Sequence, residues 1–125
     1  MKLSVVIPVY NEEGTLQALL DKVLKVQIEK EVIIVDDCSS DHSRSIIEEY
    51  AKLPNVKAIF HKKNNGKGKA IRSGIKHVTG DIVIIQDADL EYEPEDYTKL
   101  IAPIIGGTAN VVYGSRELGT TNQHS

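Results

Sequence analysis

The chain has one cysteine, Cys38, in 125 residues, so no internal disulfide can form, which fits a reducing compartment. It has no cluster of cysteine and histidine at metal-ligand spacing, which argues against zinc. Nowhere does an uninterrupted apolar stretch approach the roughly 20 residues of a membrane span. The first apolar run, Val5 to Val9, is too short for a secretory signal and no small-residue cleavage pattern follows it. Charge of one sign is not in excess. The net charge is -3 with both signs interspersed, so nothing demands nucleic acid or an anionic membrane as partner. Internal repeats and low-complexity tracts are also missing. These absences leave a soluble, cytoplasmic, single-domain expectation: residues 1–118 as one domain, burying roughly two-thirds of the unfolded surface, and 119–125 as a disordered polar tail.

What is present centres on Ile82 to Tyr92, a β-branched run that stops at a carboxylate. It reads as an interior strand buried on both faces. If the chain stays extended past Gln86, then Asp87, Asp89 and Glu91 point to one side. Three clustered oxygen donors suit a hard divalent cation, Mg²⁺ or Mn²⁺. Alone, an Asp-x-Asp pair fits a solvated turn equally well.

The preceding chain supplies context. Val5 to Tyr10 reads as a strand, with Pro8 near its end because proline lacks the ladder donor. Asn11 is expected to cap a helix with Glu12 and Glu13 in its first turn and Leu16, Leu19, Leu20, Val23 and Leu24 as its apolar stripe. Val32 to Val35 is a second buried strand ending in Asp36 and Asp37. The Ser/Asp cluster after it caps a second helix facing the core through Ile46, Ile47 and Tyr50. Val56 to Phe60 is a third strand. The loop from His61 to Lys69 interleaves lysine and glycine before a helix carrying Ala70, Ile71, Gly74, Ile75 and Val78, with Gly80 as its stop. That loop suits an anion at a helix N-terminus, yet it does not match a P-loop, and by itself a solvated basic loop is the commoner reading. A helix opens at Glu93-Pro94, and Asn110 to Tyr113 is a fifth strand left through Gly114-Ser115-Arg116.

Strands alternating with helices predict a three-layer, Rossmann-like α/β fold with a mostly parallel sheet. Right-handed crossovers bring the carboxyl ends of parallel strands to one edge, where ligands bind at the point of strand reversal. Tyr10 to Glu12, Asp36-Asp37, the lysine-glycine loop, the Asp-x-Asp stretch and Arg116 should therefore converge. The collection suits departure of a diphosphate, with charge neutralised by a cation and by Lys67 and Arg116. No Ser/His/Asp or Cys/His set is evident, and His42, His61, His77 and His124 read as structural or solvated.

At this point the motifs resemble a known family. Val-Val-Ile-Pro-Val-Tyr-Asn-Glu-Glu, Ile-Val-Asp-Asp-Cys-Ser-Ser-Asp, Asn65-Gly66-Lys67-Gly68 with Gly74 and Gly80-Asp81, Asp87-Ala88-Asp89, and Tyr113-Gly114-Ser115-Arg116 occur in one order along nearly the whole chain. Together they resemble family 2 glycosyltransferases of the GT-A fold, and within it the polyprenyl-phosphate sugar transferases such as dolichol-phosphate mannose synthase. The resemblance implies inverting transfer of a sugar from a nucleoside diphosphate sugar, UDP- or GDP-linked, with Mg²⁺ or Mn²⁺ on the diphosphate and a lipid-phosphate acceptor. It implies that Pro8, Tyr10, Glu12, Val35 and Asp37 hold the base and ribose. Asp87, Ala88 and Asp89 would lie along the diphosphate and sugar, Asp89 and Glu91 would bind the metal, and Arg116 would reach a phosphate. A lipid phosphate is already an anionic nucleophile, so no general base is required. Glutamine is frequent at the position of Glu91, and glycine at that of Cys38. The family continues past Gly-Ser-Arg into an acceptor-binding half, so this chain reads as the nucleotide-binding half of a longer protein, associated peripherally with the inner face of a membrane.

Three other readings are set against it. A phospho-receiver domain would place its acid pair after the first strand and a lysine after the fifth; here the pair follows the second and Arg116 the fifth. A sugar-1-phosphate nucleotidyltransferase would carry a glycine-rich loop after strand one, where this chain has Pro8-Val9-Tyr10-Asn11-Glu12. A non-catalytic nucleotide-binding module shares every donor-site feature and is separated only by assay.

Overall fold

A computed structural model describes residues 2–87 and 111–113 of the chain. In order these form β1 (Leu3–Val9), α1 (Leu16–Lys25), β2 (Lys30–Asp36), α2 (Ser43–Tyr50), β3 (Val56–Phe60), α3 (Lys67–Ile75), β4 (Ile82–Ile85) and β5 (Val111–Tyr113). The strands make one sheet in the order β3-β2-β1-β4-β5, and every neighbouring pair is parallel. The expected three-layer α/β architecture is what the chain adopts. The sheet grows outward from β1 through β2 to β3, then returns to the other side of β1 for β4, so strand order reverses between β1 and β4.

The β-branched runs form strands because both of their faces are covered. Leu3, Val5, Ile7 and Val9 of β1, with Val32 and Ile34 of β2, meet Leu16, Leu19, Leu20 and Val23 of α1 and Ile47 of α2. On the opposite face Val6, Ile33, Val35, Val83 and Ile85 meet Ala70 and Ile71 of α3. Gly74 allows α3 to lie close on that face. A Cβ there would stand 2.5 Å from Cγ1 of Val6 and 3.2 Å from Cγ2 of Val35.

Several local expectations change in the folded chain. One expectation holds: Pro8 is the next-to-last residue of β1, in register with Val35. Even-numbered residues of β1 face β4, as the bond from the Gln86 N–H to the Val6 carbonyl (2.9 Å) shows. Pro8 therefore falls beyond the end of β4, where its missing N–H costs no ladder bond. Helix α1 starts at Leu16 with Thr15 as N-cap and no acid in its first turn. Asn11 is not the cap: its Oδ1 instead accepts from the Ser40 and Asp41 N–H groups at 2.8 and 3.3 Å, tying the loop after β1 to the loop after β2. Ile75, expected in the core, is 38% exposed and ends α3. Gly80 does not terminate that helix, because α3 ends five residues earlier. It is needed because a Cβ at that position would meet Oγ of Ser4 at 2.6 Å and the Lys2 carbonyl at 2.7 Å.

The amino edge of the sheet is closed by Glu31, a buried carboxylate on β2. Its Oε2 accepts from the Ser4 hydroxyl (2.7 Å) and the Thr79 N–H (2.5 Å), and its Oε1 faces the ammonium groups of Lys57 (3.5 Å) and Lys2 (3.8 Å). Burial would raise its pKa, but the Ser4 and Thr79 hydrogen bonds and the Lys2 charge outweigh burial and bring it down to about 2. One side chain thus joins β1, β2, β3 and the segment leading into β4.

Candidate functional site

At the opposite, carboxyl edge a cleft of about 370 Å³ opens beside the β1/β4 reversal point. Pro8, Val9, Tyr10 and Glu12 bring the end of β1 to it, Asp37 the end of β2, Gly66, Lys67 and Ala70 the start of α3, and Asp87 the end of β4. Tyr10 is 46% exposed at the cleft, an aromatic side chain accessible to a planar ligand.

Adjacent residues separate here. Asp36 and Asp37 end the same strand, but alternation sends them to opposite faces of the sheet. Asp36 is buried away from the cleft, its Oδ2 accepting from the Ser39 N–H at 3.2 Å, so the expected convergence holds for Asp37 and not for Asp36.

Asp37 organises the loop before α3. Its Oδ1 accepts from the Asn65 N–H and faces Nδ1 of His61, both at 2.9 Å, and its Oδ2 accepts from the Gly66 N–H at 2.8 Å. Burial works to raise its pKa, but the Asn65 N–H, the His61 ring and the Gly66 N–H hold the carboxyl below its ordinary value. Gly66 has φ of 94°, a conformation that only glycine enters without strain, and from it the chain turns into α3 with Lys67 as first residue. The sequence therefore builds a turn whose backbone is clamped by a carboxylate while its lysine faces the cleft.

His61 continues this network: its Nε2 lies 2.9 Å from Oγ of Ser73 on α3. Asp37, His61 and Ser73 form a hydrogen-bonded row that the sequence reading missed. The residues are far apart along the chain, and only the β2/β3 register, with Asp36 opposite Phe60, sets Asp37 beside His61. The row is not a nucleophilic triad. Ser73 sits inside a helix, where neighbouring N–H groups are committed to helical bonds and cannot form an oxyanion hole. The row fastens α3 to the sheet edge, so His61 has the structural role expected of it.

Asp87 is equally buried and very differently partnered. Among the described residues its one partner is the Lys67 ammonium, which pairs with Oδ1, and nothing else reaches either oxygen. A buried carboxylate left so incompletely satisfied, facing a cleft, suits a ligand or cation that completes it. No group of three His, Cys, Asp or Glu side chains among the described residues forms a metal site by itself. Ala88, Asp89, Glu91 and Arg116 lie outside the described residues. Of the other expected contact residues, Pro8, Tyr10, Glu12, Asp37, Lys67 and Asp87 meet in the cleft, whereas Val35 is fully buried in the α3-side core and does not line it.

Residues 4–124 match the family model described as glycosyl transferase family 2. The chain belongs to that family. Among its relatives, the undecaprenyl-phosphate 4-deoxy-4-formamido-L-arabinose transferase of Proteus mirabilis is 45% identical over 107 residues, covering 81% of this chain and 33% of the relative. The corresponding transferase of Photorhabdus laumondii is 42% identical over 106 residues, 80% and 33% of the two chains. Solved GT-A glycosyltransferase structures share the fold of this chain. S. aureus TarS (residues 1–349), in complex with UDP-GlcNAc, superposes with a TM-score of 0.73 at 35% identity, over 84% of this chain and 31% of that one. The mannosyltransferase PcManGT from Pyrobaculum calidifontis, in complex with GDP-Man and Mn²⁺, gives 0.70 at 28% identity, over 80% and 32%. The family 2 chain described here spans about a third of the length of these relatives.

Proposed function

We propose that the cleft is the donor site of a glycosyltransferase that takes a sugar from a nucleoside diphosphate sugar, with inversion, and passes it to a polyprenyl phosphate. The observation that carries this reading is Asp87, a buried carboxylate whose one partner among the described residues is the Lys67 ammonium at the start of α3, in a cleft also lined by the exposed Tyr10. The undecaprenyl-phosphate relatives support the acceptor class, and the UDP-GlcNAc and GDP-Man complexes of the structural neighbours support the donor class.

In this reading Tyr10 stacks on the base, with Pro8, Glu12 and Asp37 around base and ribose, Val35 supports them from the core beneath, and Asp37 also acts through the loop it clamps. Lys67 and the first turn of α3 approach the diphosphate, where the helix dipole favours negative charge. Asp87, Ala88 and Asp89 lie along diphosphate and sugar, and Arg116 adds a bidentate donor to a phosphate. Asp89 and Glu91 would hold Mg²⁺ or Mn²⁺, which supplies charge neutralisation for the departing diphosphate. An anionic acceptor needs no proton removed, consistent with His61 having both ring nitrogens engaged.

Calorimetric titration with UDP and with GDP, each with Mn²⁺, Mg²⁺ or excess chelator, tests the reading. Cation-dependent binding of one nucleotide is expected, and Asp89→Ala should abolish that dependence. Failure of both nucleotides to bind under every condition overturns the donor site.

A further inference from the structure

Residues 61–80 hold six of the chain's 15 Lys and Arg and none of its 18 Asp and Glu. The rest of the chain is therefore net acidic. The averaged charge conceals a segment of one sign, and the fold gives that segment one surface. Ala70, Ile71 and Gly74 turn α3 onto the sheet, while Lys69, Arg72 and Lys76, at i, i+3 and i+7, share its exposed side. Lys62 and Lys63, also exposed, lie in the loop that leads from β3 to α3 at the cleft. None of these five forms an ion pair among the described residues, whereas several basic residues elsewhere do, as in Lys52 with Glu49, Arg44 with Glu48 and Lys57 with Glu31. Ile75 lies exposed beside the stripe.

We infer that this stripe is the surface by which the protein lies on an anionic lipid bilayer. The inference rests on the lipid-phosphate reading of the acceptor, which requires the cleft to reach a headgroup layer. A cluster of four to eight cations next to a bilayer is sufficient for attraction to acidic lipids. Lys67 is not counted in the stripe, because it pairs with Asp87 inside the cleft. A lipid surface suits the stripe better than nucleic acid. The segment has no Phe, Tyr or Trp on which bases could stack, and its exposed apolar side chain is aliphatic.

The test is co-sedimentation with phosphatidylcholine vesicles, with and without phosphatidylglycerol, at low salt and at about 0.5 M salt, where screening is strong. Binding is expected only to the phosphatidylglycerol vesicles and should be lost at high salt. The triple variant Lys69→Glu, Arg72→Glu, Lys76→Glu should bind at least ~10-fold more weakly. The neutral variant with Gln at the same three positions should fall between the two, which separates a charge effect from a folding defect. Nucleotide titration of the same samples keeps the two readings apart. Nucleotide binding without vesicle binding overturns the surface alone, and loss of nucleotide binding in the unsubstituted protein overturns the donor site. Equal binding to both vesicle types, indifference to the substitutions, or preference for a DNA oligonucleotide over the vesicles also overturns the inference.

Discussion

Glu31 and Asp87 are carboxylates at opposite edges of one sheet, each with 4% of its surface exposed. Glu31 faces a hydroxyl, a backbone N–H and two ammonium groups; Asp87 faces one lysine and an open cleft. Burial of charge is costly in both places. At the amino edge the surrounding groups offset that cost and the carboxylate ties four segments together. At the carboxyl edge, among the described residues, only the Lys67 ammonium does so, and the carboxylate lines an open cleft. Equal burial with unequal partnering sets a carboxylate that holds the fold apart from the one proposed to meet the donor.

Exchanging the two losses tests this contrast. Glu31→Ala should lower stability by about 3 kcal/mol, because it takes the acceptor from the buried Ser4 hydroxyl and from the Thr79 N–H and leaves Lys2 and Lys57 without their carboxylate, while the folded fraction keeps its nucleotide affinity. Denaturant melts paired with calorimetry read both quantities. Asp87→Asn should do the reverse: about 100-fold weaker nucleotide binding, in line with loss of a charge-assisted contact, and stability changed by no more than about 0.5 kcal/mol. If both variants lose stability alike, the contrast fails.

Acid titration sharpens the comparison. The pKa of Glu31 is depressed in the folded chain, so its contribution is fully present above the unfolded value of about 4.5 and is lost as pH falls toward 2. The hydrogen-bonded carboxyls of Asp37 and Asp41 are lowered too and add to acid sensitivity in the same direction. A Glu31→Gln variant should show a flatter Tm-versus-pH curve than the unsubstituted chain between pH ~4.5 and ~2, at a lower plateau. Parallel curves would remove Glu31 as the source.

Two backbone positions give smaller effects. Gly74→Ala places a methyl 2.5 Å from Val6 and should cost about 1–3 kcal/mol by overpacking. Because α3 carries Lys67, nucleotide affinity should fall with it. Cys38 takes φ of 65°, with its Sγ 3.5 Å from the Lys62 carbonyl, so Cys38→Gly should relieve strain. The unfolded chain gains freedom as well, leaving a net stabilisation of up to about 1 kcal/mol. Thermal melts rank the pair, and a destabilised Cys38→Gly would mean that the thiol contact outweighs the strain.

The alternation of strand and helix, the buried runs Val5–Val9, Val32–Val35 and Ile82–Ile85, and the acids at strand ends were legible because period and composition are local properties of the chain. So was the convergence of Tyr10, Glu12, Asp37, Lys67 and Asp87, since parallel crossovers leave strand ends little choice of edge. The start of α1 was not, because Asn11 is drawn away by the loop at Ser40 and Asp41, and a long-range partner displaced its local capping preference.

By itself, then, the sequence determined the layered α/β fold, the motifs of family 2 and the edge at which ligands meet the sheet. Tertiary structure alone decided which of Asp36 and Asp37 enters the cleft, that Asp37, His61 and Ser73 fasten α3, that Glu31 meets four partners while Asp87 meets only Lys67 among the described residues, and that α3 turns Lys69, Arg72 and Lys76 to solvent. The physical reason is that hydrogen bonds and ion pairs have short reach. Which groups come within it, across 24 residues from Asp37 to His61 or 48 from Glu31 to Thr79, depends on sheet register and helix docking, which no local window of sequence contains.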